Sequence, residues 1–223
     1  GARGTARSRP GIGSLRKPRM KKEIYSIAPN GIFWSIQGEG HLRGVQMFFI
    51  RFSGCSVGCP GCDTDYSVAE KLKLDEILAR LERMLPDRPR ECWVWLTGGE
   101  PADRDLTPVI LRLKRAGYSV AIATSGVHRI SDPVDWLSVS PHSTGFVQKF
   151  GHEIKIIDSL NGADLEELSR EADQADFFFR YVQPVTLPDG SECPESLSRC
   201  MEFLKERPDW ALSRQDHRVW GVA

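Results

Sequence analysis

Three cysteines fall inside one short run, Cys55-Ser-Val-Gly-Cys59-Pro-Gly-Cys62. Thiolates this close can converge on one metal centre, and soft sulfur donors select iron–sulfur clusters, zinc or copper(I). A closed zinc site or an ordinary four-iron cluster takes four protein ligands. No fourth Cys or His lies nearby, so three thiolates on a four-iron cluster would leave one iron open to another ligand. The rival readings are a structural zinc site completed by His142, His152 or His217, and a chance group of buried thiols. Gly54, Gly58 and Gly61 favour a cluster, because glycines let a backbone wrap closely round a bulky group. Cys92, Cys193 and Cys200 are scattered; they read as core or surface thiols, so the cysteines do not describe a disulfide framework.

A second group, Thr97-Gly98-Gly99-Glu100-Pro101, closes an apolar run. Its two glycines permit close approach to a ligand, and the free carbonyls or Glu100 can hold an ammonium group. Alone it is a common turn; beside an open three-thiol site it gains meaning.

These groups need elements to position them. Runs rich in Val, Ile, Phe and Trp predict strands at 32–36, 46–52, 91–96, 118–123, 135–139, 153–157, 176–182 and 210–214. Leu74, Ile77, Leu78, Leu81 and Leu85 share one helical face, and Val109, Ile110, Leu113 and Ala116 share another that ends at Gly117. Residues 164–172 and 194–206 are further helices. Alternating strand and helix implies a mostly parallel α/β sheet with six or seven units, fewer than a closed barrel needs. The expected architecture is a partial, open β/α barrel. The unusual residues all follow strands: the cysteine run, the Gly-Gly-Glu turn, Thr124-Ser125-Gly126, Ser140-Pro141-His142, Gln183-Pro184 and Gln215-Asp216-His217. Carboxyl ends of parallel strands share one rim, where sites are built.

Composition sets outer bounds. At 223 residues, 40% hydrophobic and 27% charged, the chain reads as a soluble globular domain. It shows neither an apolar membrane span nor a signal-peptide core, and a cytoplasmic location is the expectation. The zero net charge is uneven: residues 1–22 carry eight basic side chains and no acid, which leaves the body at −8. An acidic body is a poor platform for nucleic acid. Residues 1–22 are predicted to be a disordered basic arm, and 23–223 the catalytic domain.

The Cys-x3-Cys-x2-Cys run followed by Gly-Gly-Glu-Pro resembles the radical S-adenosylmethionine (SAM) superfamily. Within it, Ser35-Ile36-Gln37-Gly38-Glu39-Gly40, Arg51-Phe52-Ser53-Gly54-Cys55, Cys62-Asp63-Thr64-Asp65, Val139-Ser140-Pro141 and the Gln215-x-His217 tail resemble the 7-carboxy-7-deazaguanine synthase family from about residue 23 onward. Activases of glycyl-radical enzymes share the cysteines and Gly-Gly-Glu, but match less well at Gln-Gly-Glu-Gly and the tail. The resemblance implies a [4Fe–4S] cluster on Cys55, Cys59 and Cys62, and a pterin substrate, 6-carboxy-5,6,7,8-tetrahydropterin, contracted with loss of ammonia. It assigns substrate contacts to Ile36, Gln37, Gly38, Glu39, Arg51, Thr97, His217 and the carboxylate of Ala223. SAM would meet Gly61, Cys62, Asp63, Gly99, Glu100, Ser140, Pro141, His142, Gln183, Pro184, Val185 and Thr186, and Mg2+ would meet Thr64. It also implies an external one-electron reductant of flavodoxin or ferredoxin type and a homodimer. Departures from the family pattern are His142 where Lys is common, Ser125 where Asn is common, Asp216 where Thr is usual and Ala223 where Pro is familiar.

Overall fold

The computed structural model describes residues 23–59, 62, 64–87, 89, 91–158, 165–187 and 189–222. The basic arm therefore lies outside the described residues. Nine strands form one sheet: β1 (Ile24–Ile36), β2 (Gln46–Phe52), β3 (Glu70–Lys73), β4 (Cys92–Gly98), β5 (Tyr118–Thr124), β6 (Trp136–Val139), β7 (Phe150–Ile157), β8 (Asp176–Gln183) and β9 (Ala211–Leu212). Their order is β3-β1-β2-β4-β5-β6-β7-β8-β9. From β2 to β9 every neighbouring pair is parallel, while β1 runs antiparallel to both β2 and β3. β3 and β9 remain separate edges, so the sheet is an open, mostly parallel one, as expected.

Helices α1 (Leu74–Met84), α2 (Thr107–Arg115), α3 (Leu165–Ala172) and α4 (Pro194–Glu206) all pack on one face. In α1, Ile77, Leu78 and Leu81 turn inward, and the Glu76 carboxylate accepts from the Lys73 backbone N–H at 2.6 Å. α2 buries Val109, Ile110 and Leu113 and ends in Arg112, Lys114 and Arg115, whose charges suit a helix C-terminus. These side chains meet alternate strand residues, Phe48, Ile50, Val94, Leu96, Val120, Ile122, Ile154 and Ile156, in the main core. The intervening strand residues point to the other face. There Met47, Phe49, Trp95, Ala121 and Trp136 form a second cluster to which no helix contributes.

The sheet departs from expectation in three places. β1 begins at Ile24 rather than 32, and its register with β2 shifts between Ile27 and Ile32, around Asn30 at φ 49°. β3 is an unforeseen edge strand of alternating charge, whose Glu70 pairs with Arg80 of α1. The connections from β5 to β6 and from β6 to β7 carry no helix, so strict strand–helix alternation fails there. Cys92 and Cys200 are core residues, as read, and Cys193 is buried at the start of α4.

No helix among the described residues is long and apolar enough to cross a membrane. Leu113 is fully buried between α2 and the sheet; Leu113→Ala should lower unfolding free energy by about 2–5 kcal/mol in urea titrations.

Candidate active site

The cysteine loop leaves β2 at the carboxyl rim. Gly54, at φ 83°, donates to the Tyr66 carbonyl at 2.8 Å, and the Cys62 backbone donates to Cys59 at 3.3 Å. Asp103 pins the loop from the β4 side: its carboxylate accepts from Ser56 N (2.8 Å) and Ser56 Oγ (2.6 Å), and meets His128 at 3.0 Å. Burial opposes the Asp103 charge, but Ser56 and His128 hold its pKa below the ordinary value. All three thiols are free, with Cys55 and Cys59 half-buried and Cys62 exposed. The Cys59 thiol is pushed up by burial first and then by the Cys62 and Cys55 sulfurs, which places the three within electrostatic reach. Among the described residues no three Cys, His, Asp or Glu side chains gather closely enough to hold a metal ion. The loop suits a cluster by donor type and by space. At Gly54 and Gly58, both at positive φ, nothing lies within 4 Å of where a Cβ would stand, so the backbone there is free to face a bulky group. Of the histidines that could complete a zinc site, His152 is engaged elsewhere: its Nδ1 accepts from Leu137 N at 2.9 Å and its ring stacks on Trp136.

The Gly-Gly-Glu turn packs against this loop backbone to backbone. A Cβ on Gly99 would lie 1.9 Å from the Gly54 carbonyl oxygen and 2.8 Å from Cys55 Cβ. Glu100 is 1% exposed, and its carboxylate is fully engaged. One oxygen accepts from Ala102 N (2.9 Å) and Thr124 Oγ1 (2.7 Å), the other from Ser125 N (2.8 Å) and Ser125 Oγ (2.5 Å). A carboxylate has about four lone-pair sites, so Glu100 ties the ends of β4 and β5 together. Whatever this turn offers an ammonium group comes from its backbone. Ser125, standing where Asn is common, supplies two of the four bonds.

The helix-free face carries the remaining polar groups. Arg51 and Thr97 are register partners on β2 and β4, above the layer of Phe49 and Trp95. The Arg51 guanidinium lies 5.5 Å from the Phe33 ring centroid and forms no ion pair with any described residue. Glu39 is engaged elsewhere. Glu39 pairs with Lys155 of β7, and also accepts from Gln215 Nε2 (2.7 Å) and Gln183 Nε2 (3.4 Å). Burial alone would raise the Glu39 pKa; Lys155, the amide bonds and the nearby His217 ring together hold it below the usual carboxylate value. Gln183 in turn accepts from Ser213 Oγ at 2.7 Å. Its side chain thus belongs to the Glu39 network rather than facing outward.

The segment after β9 closes this group. Asp216 N donates to the Gly38 carbonyl at 3.1 Å, Gly40 N donates to Ser213 Oγ at 3.0 Å, and Arg43 pairs with Asp216. His217, predicted in a tail, lies in a short helix α5 (Asp216–Trp220). A Cβ on Gly38 would fall 2.3 Å from the His217 Nδ1, so only glycine fits.

Of the other predicted residues, Ile36 ends β1 and Gln37 is buried, its Oε1 accepting from Glu39 N at 3.1 Å. Ser140 follows β6, Pro141 is buried, and His142 sits exposed at the rim, where desolvation and then the Lys155 charge lower its pKa. Pro184 is buried; Val185 N donates to Ser196 Oγ of α4 at 3.0 Å, and Thr186 bridges to Glu192. Thr64 is half-buried, and its neighbour Asp65 accepts from Ser67 N at 2.9 Å, a local turn. Gly61, Asp63 and Ala223 lie outside the described residues. Lys155 and Asp103 join these contacts and were missed, while Ser125 was placed at a strand end without a role. Lys155 alone carried a signal, a lysine inside the apolar run Ile154-Lys155-Ile156-Ile157.

Two outcomes follow from these contacts. Glu100→Ala removes the acceptor from donors in the turn after β4 and at the end of β5, and should cost about 2–4 kcal/mol in chemical denaturation. Because the folded-state pKa of Glu39 is depressed, its contribution to stability is complete above the unfolded carboxylate value and disappears as pH falls through the folded one. Acid titration of stability should therefore show a larger loss for the wild type than for Glu39→Gln below about pH 4.

No protein-family model matches the chain. Curated relatives do. It is 31% identical over 193 residues to the 7-carboxy-7-deazaguanine synthase of Bacteroides thetaiotaomicron, covering 85% of this chain and 95% of the relative. It is 30% identical over 215 residues to that of Burkholderia multivorans, covering 88% and 99%. The crystal structure of QueE from Escherichia coli superposes with a TM-score of 0.69 at 28% identity, over 86% of this chain and 94% of that one. With 85% or more of this chain and over nine-tenths of each relative covered, and with the cysteine loop and the Gly-Gly-Glu turn packed together at the carboxyl ends of β2 and β4, the chain belongs to the 7-carboxy-7-deazaguanine synthase family.

Proposed function

We propose that this protein is a radical SAM enzyme that converts 6-carboxy-5,6,7,8-tetrahydropterin to 7-carboxy-7-deazaguanine, releasing one ammonia, a step of queuosine and related deazapurine synthesis. The observation that supports this reading is an Arg51 without an ion-pair partner among the described residues and a buried Glu39 carboxylate held by Lys155, with the loop of three free thiols following directly on the strand that carries Arg51. Cys55, Cys59 and Cys62 would hold a [4Fe–4S] cluster, with SAM on its remaining iron. When bound, these groups supply hydrogen-atom abstraction driven by a single electron.

The chain's own residues bind, orient and shield. Arg51 suits the substrate carboxylate, since a guanidinium grips a carboxylate through two parallel bonds. Glu39 accepts from the amino-pyrimidine edge, and the Gln37 amide, whose oxygen is already taken by Glu39 N, presents its NH2 to the ring. Thr97 and His217 add polar contacts, and Phe33, Phe49, Trp95 and Trp136 floor the pocket and exclude water. Mg2+ would complete the reading, with Thr64 as the residue that would help hold it and orient the substrate, since this ion keeps much of its hydration and takes few protein ligands. The remaining partners are a flavodoxin-like or ferredoxin-like reductant in the cytoplasm and a second copy of the chain.

Anaerobic reconstitution with iron and sulfide should give a brown protein that, with SAM, reductant and the carboxypterin, yields the deazaguanine by mass spectrometry. Cys59→Ala should abolish turnover. Arg51→Met should raise KM for the carboxypterin at least tenfold, the loss of a charge-assisted pair. A reconstituted protein that cleaves SAM yet makes no deazaguanine would sink the substrate assignment.

A further inference from the structure

We propose that Lys155 is the positioning residue of the substrate pocket: its ammonium fixes the Glu39 carboxylate in the orientation that receives the amino-pyrimidine edge. The inference rests on the substrate reading above and extends it to a residue outside the Gln37–Gly40 segment.

Lys155 is 7% exposed on the helix-free face of β7, beside Tyr181 of β8. A buried ion pair is a weak source of stability, because desolvating both charges offsets most of their attraction, and an apolar pair of similar volume often serves as well. Such a pair in a binding face is better explained by what the carboxylate must do. Gln215 and Gln183 donate to one Glu39 oxygen and Lys155 to the other. The amides fix position but carry no charge. The remaining charges around Glu39 are few. His217 approaches from α5, the Glu153 carboxylate lies beside Gly40, Arg43 and Asp216 neutralise each other on the outside, and His142 lies within electrostatic reach of Lys155. Among the described residues, Lys155 is the cation whose side chain donates to the second Glu39 oxygen.

Without it, a buried Glu39 takes up a proton. A protonated carboxyl turns one oxygen into a donor, facing the N–H donors of an amino-pyrimidine. The loss is therefore one of recognition, and it is reversible by raising pH.

The test titrates 7-carboxy-7-deazaguanine into reconstituted enzyme by calorimetry and measures KM for the carboxypterin, from pH 6 to 8.5. Lys155→Met should weaken deazaguanine binding and raise KM at least tenfold at pH 6.5, with kcat changed less than threefold, and both should recover as pH rises. Lys155→Arg should restore binding, while Glu39→Gln should bind weakly at every pH. Lys155→Gln, checked by thermal melting, replaces the Met variant if that fails to fold. Binding by the variant within twofold of wild type overturns the proposal, as does an equal loss at all pH values, which would put Lys155 in direct contact with the ligand. A wild type that ignores the deazaguanine overturns the substrate reading itself, and so is told apart from a failure confined to Lys155.

Discussion

A parallel sheet that stops before closure leaves one face without helices, and the rest of this molecule answers that constraint. The face cannot be left apolar and bare, since a contiguous exposed patch would invite association. It is graded instead. Near the amino ends of the strands, Phe33, Phe49, Trp95 and Trp136 pack on one another, with His41 stacked on Phe179 at 3.8 Å. Toward the carboxyl ends the same face turns polar, with Arg51, Thr97, Lys155 and Gln183. Strand periodicity makes this possible, because each polar residue faces in while its neighbours Ile50, Leu96, Ile154 and Val182 anchor the opposite core.

Much of the rim was legible from sequence because parallel topology gathers whatever follows each strand. The cysteine loop and the Gly-Gly-Glu turn needed only strand positions to be placed together, whereas the Gln37–Gly40 segment follows the antiparallel β1 and is brought in by its contacts with the residues after β9. Lys155 was hidden by its setting. In Glu153-Ile154-Lys155-Ile156-Ile157 the run reads as a buried strand, and nothing local says which face has a partner 116 residues away. Edge strand β3 was invisible for the opposite reason: Glu70-Lys71-Leu72-Lys73 has too little apolar content to announce pairing, and charge is how natural edges avoid aggregation. Helix α5 spans only Asp216–Trp220, too short for a periodic signal.

Glu100 has a structural part to play that its motif does not announce. The acid after two glycines invites a ligand contact, yet its four bonds go to Ala102, Thr124 and Ser125. The glycines are explained by Gly54 and Cys55, which press too closely on Gly99 for any side chain. The turn is therefore packed directly on the start of the cysteine loop at Gly54 and Cys55, and Asp103, three residues on from Glu100, fastens it again through Ser56. Rigid placement of reactive groups is what demanding chemistry requires of its scaffold.

The contact between Gly40 and Ser213 spans 173 positions of chain. On the ribosome, the early segment that will cradle a ligand emerges long before the stretch that braces it, and long-range closure of this kind comes late in folding. A nascent polypeptide thus displays its thiols well before it owns a finished pocket. Assembly of the competent catalyst is withheld until the stretch around Ser213 has been made.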